Sequence, residues 1–490
     1  MRAEKINWLE SAQTGEAVSK RSIRGIGMQF IRGIVVLLSS VILARLLNPS
    51  DFGVVATILP LVAFVQLLKD FGVSATVVQS LKLGQDEVTT YFWLQVLVGF
   101  FLGVALASSG PIWSAFYDDL RMKTLALAMG AVLFVGVLGN IHNALLRRNL
   151  LFERVMWIDV GSSVLALVVA SICALSGLGY WSLLVQQAVS SVASVVGYWS
   201  VCSWRPGRVG FSKDAIKGLC FGGSLTVGQV FGYIRQNADL VLIRKFTDVI
   251  QLGYYGRSQR VMMMPTHQIM GPVMSVAFPM LSRQQEQPNY SEYFENIFRF
   301  CMAVAVPVGV FGFFFPEAVV GIILGDKWSD AVPIFQALSI VSVFYPVGRC
   351  LSVNLLVFRK VKVMIILPAI SMLMSVAAYW LGIQSGVERL AFYSGFVSAV
   401  MVCIYSLVVV VLTPVKGKSL MMIAFPVVAC IILGVLSAKF LVKWLFFAPY
   451  TLSHHFAEAI VFGFVYSIAL LFLAGYWKRM VGLNGFMRSR

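Results

Sequence analysis

Residues 390–412 read LAFYSGFVSAVMVCIYSLVVVVL, 23 positions without a charged side chain, bounded by Arg389 on one side and Lys416 on the other. A helix needs about 20 such residues to cross the hydrocarbon of a bilayer. The pattern recurs along the 490-residue chain, which is 59% apolar and only 12% charged, with a mean hydropathy of +0.83. An ordinary soluble domain is about 25% charged. Block length and flanking charge place spans at 25–46, 53–70, 88–109, 124–146, 157–176, 178–201, 215–236, 252–281, 297–316, 332–357, 361–381, 390–412, 419–441 and 456–477. The expectation is an all-α integral membrane protein of fourteen transmembrane helices. Their short loops leave no room for a large soluble domain. An outer-membrane barrel is excluded too, because its strands are about 10 residues long and alternate apolar with polar. Pro265 and Pro272 fall inside the eighth span and Pro346 inside the tenth, so both spans are expected to be interrupted.

The formal charge of +17 is distributed as membrane topology requires. With the N-terminus inside, 24 of the Lys and Arg fall in cytoplasmic segments and 9 in the opposite loops. Both termini are therefore expected in the cytoplasm, and an even number of spans agrees. No basic helix or aromatic–basic stacking surface is present, so nucleic acid is not an expected partner. Anionic membrane lipid is a secondary one. The seven cysteines are scattered and form no CxxC, which indicates neither a disulfide framework nor a zinc site. His454 and His455 lie beside no Cys or carboxylate cluster, and no metal is expected. Gly417-Lys418-Ser419 imitates the end of a P-loop, but Leu412 stands where the first Gly is required. No cofactor is expected, and the outer loops are too short to fold a catalytic domain.

The chain also resembles itself at an offset of 200. Residues 42–46 read Ile-Leu-Ala-Arg-Leu and 242–246 read Leu-Ile-Arg-Lys-Phe. Phe52-Gly53-Val54 matches Leu252-Gly253-Tyr254. Chance similarity between apolar segments sharing a Gly turn is the bland alternative. A true repeat divides the chain into a cytoplasmic segment 1–24, an N-lobe 25–209, a C-lobe 210–414, and a final helix pair with its tail at 415–490. Both copies share span parity, so the repeat is parallel.

Six arginines fall within or at the ends of spans: Arg32, Arg235, Arg257, Arg260, Arg299 and Arg349. An arginine at the bilayer centre costs about 2.5–3.5 kcal/mol on insertion scales, so these residues should be paired or line a wet cavity. Arg257 and Arg260 share a helix face. Arg349 sits on a polar stripe with Ser342, Tyr345 and Ser352. Arg32 lies with Gln29 and Ser39 on one side of span 1, where snorkelling to the cytoplasm is an alternative. Arg32, Arg257, Arg260 and Arg349 are the candidates for a cationic chamber between the lobes, suited to phosphate because guanidinium grips its oxygens bidentately. Asn143, Asp159, Gln187, Gln29 and Tyr345 are supporting polar residues; for Ser, Asn and Gln in such spans helix–helix bonding is the usual role and ligand contact the alternative. Arg235 precedes Asp239 by four residues, which fits a simple intrahelical salt bridge, and Arg299 fits a snorkelling role.

The run Ile42-Leu43-Ala44-Arg45-Leu46-Leu47-Asn48-Pro49-Ser50-Asp51-Phe52-Gly53 resembles the opening signature of the polysaccharide transporter family, the Wzx-type flippases. Gly177-Leu178-Gly179-Tyr180-Trp181-Ser182-Leu183, Asn237-Ala238-Asp239, Leu252-Gly253-Tyr254-Tyr255 and Ala277-Phe278-Pro279-Met280-Leu281-Ser282 extend the resemblance. The nearest likeness is to exopolysaccharide exporters of the colanic acid or succinoglycan kind. Their superfamily also holds multidrug exporters and the lipid II flippase. The resemblance implies a bacterial inner-membrane flippase for undecaprenyl-diphosphate-linked oligosaccharides, serving exopolysaccharide or lipopolysaccharide synthesis. It also implies alternating access, an ion gradient rather than ATP, and polymerase and chain-length partners of the same pathway. Two alternatives stand beside it: a multidrug or small-molecule exporter of the same superfamily, and a membrane glycan polymerase or ligase. Topology is directly testable. Reporter fusions after Arg490 and in the Arg147–Arg154 loop should both read cytoplasmic, and an outside signal from either contradicts the charge reading.

Overall fold

The computed structural model describes residues 15–70, 73–79, 83–208 and 213–415, with 417, 418, 420, 432 and 461; the side chains of 15–30 and 213–229, and of a few single positions, lie outside that description. These residues form sixteen α-helices, one 3-10 helix and no strand. In chain order they are α1 (Gly15–Leu46), α2 (Pro49–Asp70), α3 (Val73–Gln79), α4 (Gln85–Ser108), α5 (Gly110–Tyr117), α6 (Arg121–Val137), α7 (Asn140–Arg148) and α8 (Phe152–Leu175). There follow α9 (Trp181–Val201), α10 (Lys213–Phe246), α11 (Val249–Arg283), α12 (Tyr290–Phe314), α13 (Pro316–Ile323), the 3-10 helix (Asp326–Ala331), α14 (Val332–Val357), α15 (Val361–Ile383) and α16 (Val387–Leu412). Lipid offers backbone groups no partner, so an apolar block of this length satisfies them within its own helix. Among the described residues eight segments are long and apolar enough to cross a membrane, and the protein is a multi-pass membrane protein. Four further expected spans coincide with α1, α9, α10 and α11, which carry Arg32, Gln186–Gln187, Arg235 and Arg257–Arg260. The two expected at 419–441 and 456–477 lie outside the described residues.

Three details differ from the sequence expectation. The span expected at 124–146 is broken at Leu138–Gly139 into α6 and α7. The carbonyl of Leu138, at the break, accepts a bond from Trp199 Nε1 at 2.8 Å. The short α3 was not anticipated; it packs on α7, and Arg148 donates to the Val77 carbonyl at 2.9 Å. The proline interruptions do not occur: α11 runs unbroken through Pro265 and Pro272, and α14 through Pro346. Proline withholds one backbone bond, and neighbouring helices in a bundle can absorb that loss. Beside Pro265, the hydroxyls of Thr266 and Ser342 bond at 3.0 Å and tie α11 to α14.

Packing divides the chain into two compact units, 1–253 and 254–490. In the first, α1 packs on α8, α8 on α9, α4 on α6, and α10 on α2 and α3. One apolar core there includes Leu43, Ile58, Met122 and Leu125; another includes Val77, Tyr91, Ile141, Leu145 and Trp204. In the turn between α5 and α6, Arg121 grips Asp119 through Nε and Nη2 at 2.9 and 2.8 Å, and Arg244 from α10 joins at 3.3 Å. Burial pushes the Asp119 carboxyl up, but the Arg121 fork outweighs it and holds the group below the usual range. In the second unit, α14 packs against α12 and α16, and α15 against α16, over a core containing Tyr290, Phe294, Phe315 and Leu351.

The repeat offset reappears in the packing of the first unit. The start of α2 crosses residues 249–253 of α11 so closely that a Cβ at Gly53 would land on the Val249 carbonyl, and one at Gly253 on that of Pro49. Each contact is the other displaced by 200 residues. Both helix starts are also capped by a side chain, the Asp51 carboxylate receiving the Asn48 N–H and the Asp248 carboxylate the Gln251 N–H. By contrast, a Cβ at Gly161 in α8 meets nothing within 4 Å. Gly53→Ala or Gly253→Ala should therefore destabilise the purified protein by about 1–3 kcal/mol through overpacking. Gly161→Ala should be neutral or stabilising, since Ala is the better helix former. Thermal unfolding in one detergent tests this; equal midpoints for all three variants contradict the crossing.

Candidate functional site

In the second unit, α11 and α14 lie in parallel register. The Met262 sulfur is 3.1 Å from the Ser339 hydroxyl, Thr266 bonds Ser342, and His267 Nδ1 shares a hydrogen bond with the Tyr345 hydroxyl at 3.1 Å. Below that last pair a cavity of about 480 Å³ opens. One side is lined by His267, Met270, Gly271, Met274 and Phe278, the other by Tyr345, Arg349, Val353 and Leu356. Spacings of three, four, seven and eleven from His267, and of four, eight and eleven from Tyr345, put each set on one helix face. The cavity is amphipathic. His267, Tyr345 and Arg349 occupy its first turns, and Met274, Phe278, Val353 and Leu356 continue it as an apolar trough. Arg349 is exposed, and among the described residues it forms no ion pair. A guanidinium without a carboxylate, above an apolar wall, suits an anionic group attached to hydrocarbon.

The first unit holds a second polar centre. Asp159 on α8 lies 3.4 Å from Arg32 on α1, and its other oxygen accepts the Tyr198 hydroxyl from α9. Tyr198 receives Asn143 Nδ2 at 3.3 Å, and Arg147 donates to the Asn143 amide oxygen at 2.7 Å. Four helices thus converge on one carboxylate. A little further along, Gln186 on α9 donates to Ser39 on α1 at 2.7 Å.

Three sequence candidates, Arg32, Asp159 and Asn143, meet in this second centre, and two, Arg349 and Tyr345, meet in the cavity. Arg257 is buried on α11 and Arg260, three residues on, is exposed; neither lines the cavity. Gln187 is exposed, whereas its neighbour Gln186 makes the interhelical bond. Asp239 is buried within α10, with Arg235 partly buried on the same helix. The side chain of Gln29 lies outside the described residues. Sequence reasoning passed over His267, Tyr198 and Gln186. Their partners lie 78, 39 and 147 residues away, and no local spacing announces them.

A family profile described as "polysaccharide biosynthesis protein" matches residues 42–333. The chain is 24% identical over 283 residues to the teichuronic acid biosynthesis protein TuaB of Bacillus subtilis, covering 57% of this chain and 59% of that protein. It is 23% identical over 378 residues to the lipopolysaccharide biosynthesis protein WzxC of Escherichia coli, covering 72% and 75%. To the succinoglycan biosynthesis transport protein ExoT of Rhizobium meliloti it is 24% identical over 302 residues, 61% of each chain. The match thus spans about three fifths of TuaB's length. Among solved structures, the lipid II flippase MurJ in an inward closed conformation superposes with a TM-score of 0.75 at 15% identity, over 92% of this chain and 99% of MurJ. An inward-facing MATE multidrug resistance transporter gives 0.62 at 15% identity, over 82% and 98%. These superpositions establish a shared transporter fold.

The cavity can be probed by water. In a variant lacking the native cysteines, Tyr345→Cys and Arg349→Cys should react with a membrane-impermeant thiol reagent in open membranes. Leu373→Cys, on the exposed apolar face of α15, should not. Protection of both cavity positions contradicts a wet site.

Proposed function

The chain belongs to the polysaccharide biosynthesis protein family, and we propose that it is a flippase for undecaprenyl-diphosphate-linked oligosaccharide repeat units at the bacterial inner membrane. Its product feeds exopolysaccharide or lipopolysaccharide assembly. The observation that carries this reading is Arg349, without an ion pair among the described residues, in an amphipathic cavity that continues as an apolar trough. A diphosphate cannot cross hydrocarbon unaided, because an isolated charge in a low dielectric is too costly. A fixed guanidinium replaces part of its water, while the apolar trough accepts the hydrocarbon next to the phosphate. The names of WzxC, ExoT and MurJ point to related cargo. A multidrug exporter is the second reading, given the MATE-like fold. A positive cavity disfavours organic cations, which sets that reading behind the first.

Movement proceeds by alternating access of two six-helix repeats, 25–209 and 210–414, which the segment 415–490 follows in the chain. Both termini face the cytoplasm. An ion gradient supplies the drive, about 2.3 kcal/mol per charge per 100 mV. The protein is a transporter and not an enzyme, and it works with the polymerase and chain-length proteins of its pathway.

Arg349 provides the test. Lys keeps the charge but not the bidentate fork, so Arg349→Lys should lower export and Arg349→Ala should lower it further, by about ten- to hundredfold for the loss of charge-assisted bonds. The quantity to measure is surface polysaccharide per folded transporter in the membrane. Normal export per molecule by Arg349→Ala contradicts the phosphate role.

A further inference from the structure

The ion pair between Arg32 and Asp159 differs in kind from the one between Arg121 and Asp119. Arg121 engages both oxygens of Asp119 through two nitrogens. Arg32 presents a single nitrogen to a single oxygen at 3.4 Å. Arginine has five N–H donors, and among the described residues Arg32 makes no other ion pair or hydrogen bond. Its side chain is 52% exposed while that of Asp159 is only 13% exposed. Asp159 is anchored separately by Tyr198. The guanidinium can therefore leave without abandoning a bare carboxylate, and it faces open space with its fork free.

The charged and titratable groups around Asp159 are Arg32 from α1, Tyr198 from α9 and, through Asn143, Arg147 from α7. The centre is thus net cationic and holds one exchangeable anion. We propose that Asp159 is a built-in stand-in anion, which occupies Arg32 while the site is empty and yields it to a phosphate or diphosphate group. A carboxylate offering one oxygen at 3.4 Å competes weakly with a diphosphate, which offers several oxygens and more charge. A halide cannot fill the fork, so the arrangement favours oxyanions, and among these the greater charge favours a diphosphate over a carboxylate. The identity of the anion rests on the cargo proposed above; the exchange itself rests on this centre alone.

The measurement is binding to the purified full-length protein in nanodiscs, with farnesyl diphosphate and inorganic diphosphate as probes. Asp159→Asn removes the competitor and should tighten binding about fivefold. Arg32→Gln should weaken it, and in the Arg32→Gln background Asp159→Asn should have no further effect. Tyr198→Phe leaves the carboxylate wholly to Arg32 and should weaken binding; it supplies an opposite-signed test if Asp159→Asn does not fold. A response shared by both probes assigns the site to the diphosphate itself, and a response with farnesyl diphosphate alone assigns it to the lipid-linked form. If Asp159→Asn changes nothing, or its effect persists without Arg32, or Tyr198→Phe binds as tightly as wild type, the stand-in role is overturned. Arg349→Ala should leave the coupling between Arg32 and Asp159 intact, so failure here and failure of the Arg349 reading are separable.

Discussion

Hydrocarbon offers neither hydrogen bonds nor counter-charge, and that constraint shapes the chain. It forces apolar blocks into helices that satisfy their own backbone. It also forces each charge that enters a span to find a partner or water. The first unit uses a carboxylate: Arg32 meets Asp159, and the surplus of donors from Tyr198 and Asn143 is absorbed in the same network. The second unit leaves Arg349 at the wall of a cavity instead. The two solutions have different uses. A paired charge stabilises the bundle, whereas a charge at a cavity wall is left to water or a ligand.

Much of the helical architecture is legible in the sequence because the determining quantity is local. A run such as 390–412 needs no tertiary information to be read as a membrane helix. The 200-residue offset was also visible, through Gly53 and Gly253, and the reason for those glycines appears only when the helices cross. Packing groups α10 with the helices before it, while the 200-residue offset leads one to expect α10 as the first helix of a second half. Composition says nothing about that difference, since it depends on which apolar face meets which.

The candidate site was legible as a set of faces but not as a set of neighbours. Helical spacing put Tyr345 and Arg349 on one stripe. It could not show that His267, 78 residues earlier, bonds Tyr345. Arg32 stands out because an arginine is costly in lipid and Asp159 only as a supporting polar residue on another span, and only the fold joins them. Tyr198 carried no signal, since a tyrosine near a helix end is ordinary in any membrane protein. Gln187 was chosen over Gln186 from adjacent positions, and a rotation of one residue about the helix decides between them.

On the proposed function, a guanidinium in each unit substitutes for part of the water around a phosphate while the attached hydrocarbon stays in an apolar surround. The most direct test follows the cargo. Depleting the protein in its native cell and treating spheroplasts with a membrane-impermeant glycan-cleaving enzyme separates lipid-linked units in the outer leaflet from protected ones in the inner leaflet. The account predicts that protected units accumulate as the protein disappears and that one surface polymer is lost in step. Lipid-linked units that reach the outer leaflet at an unchanged rate without the protein would contradict it.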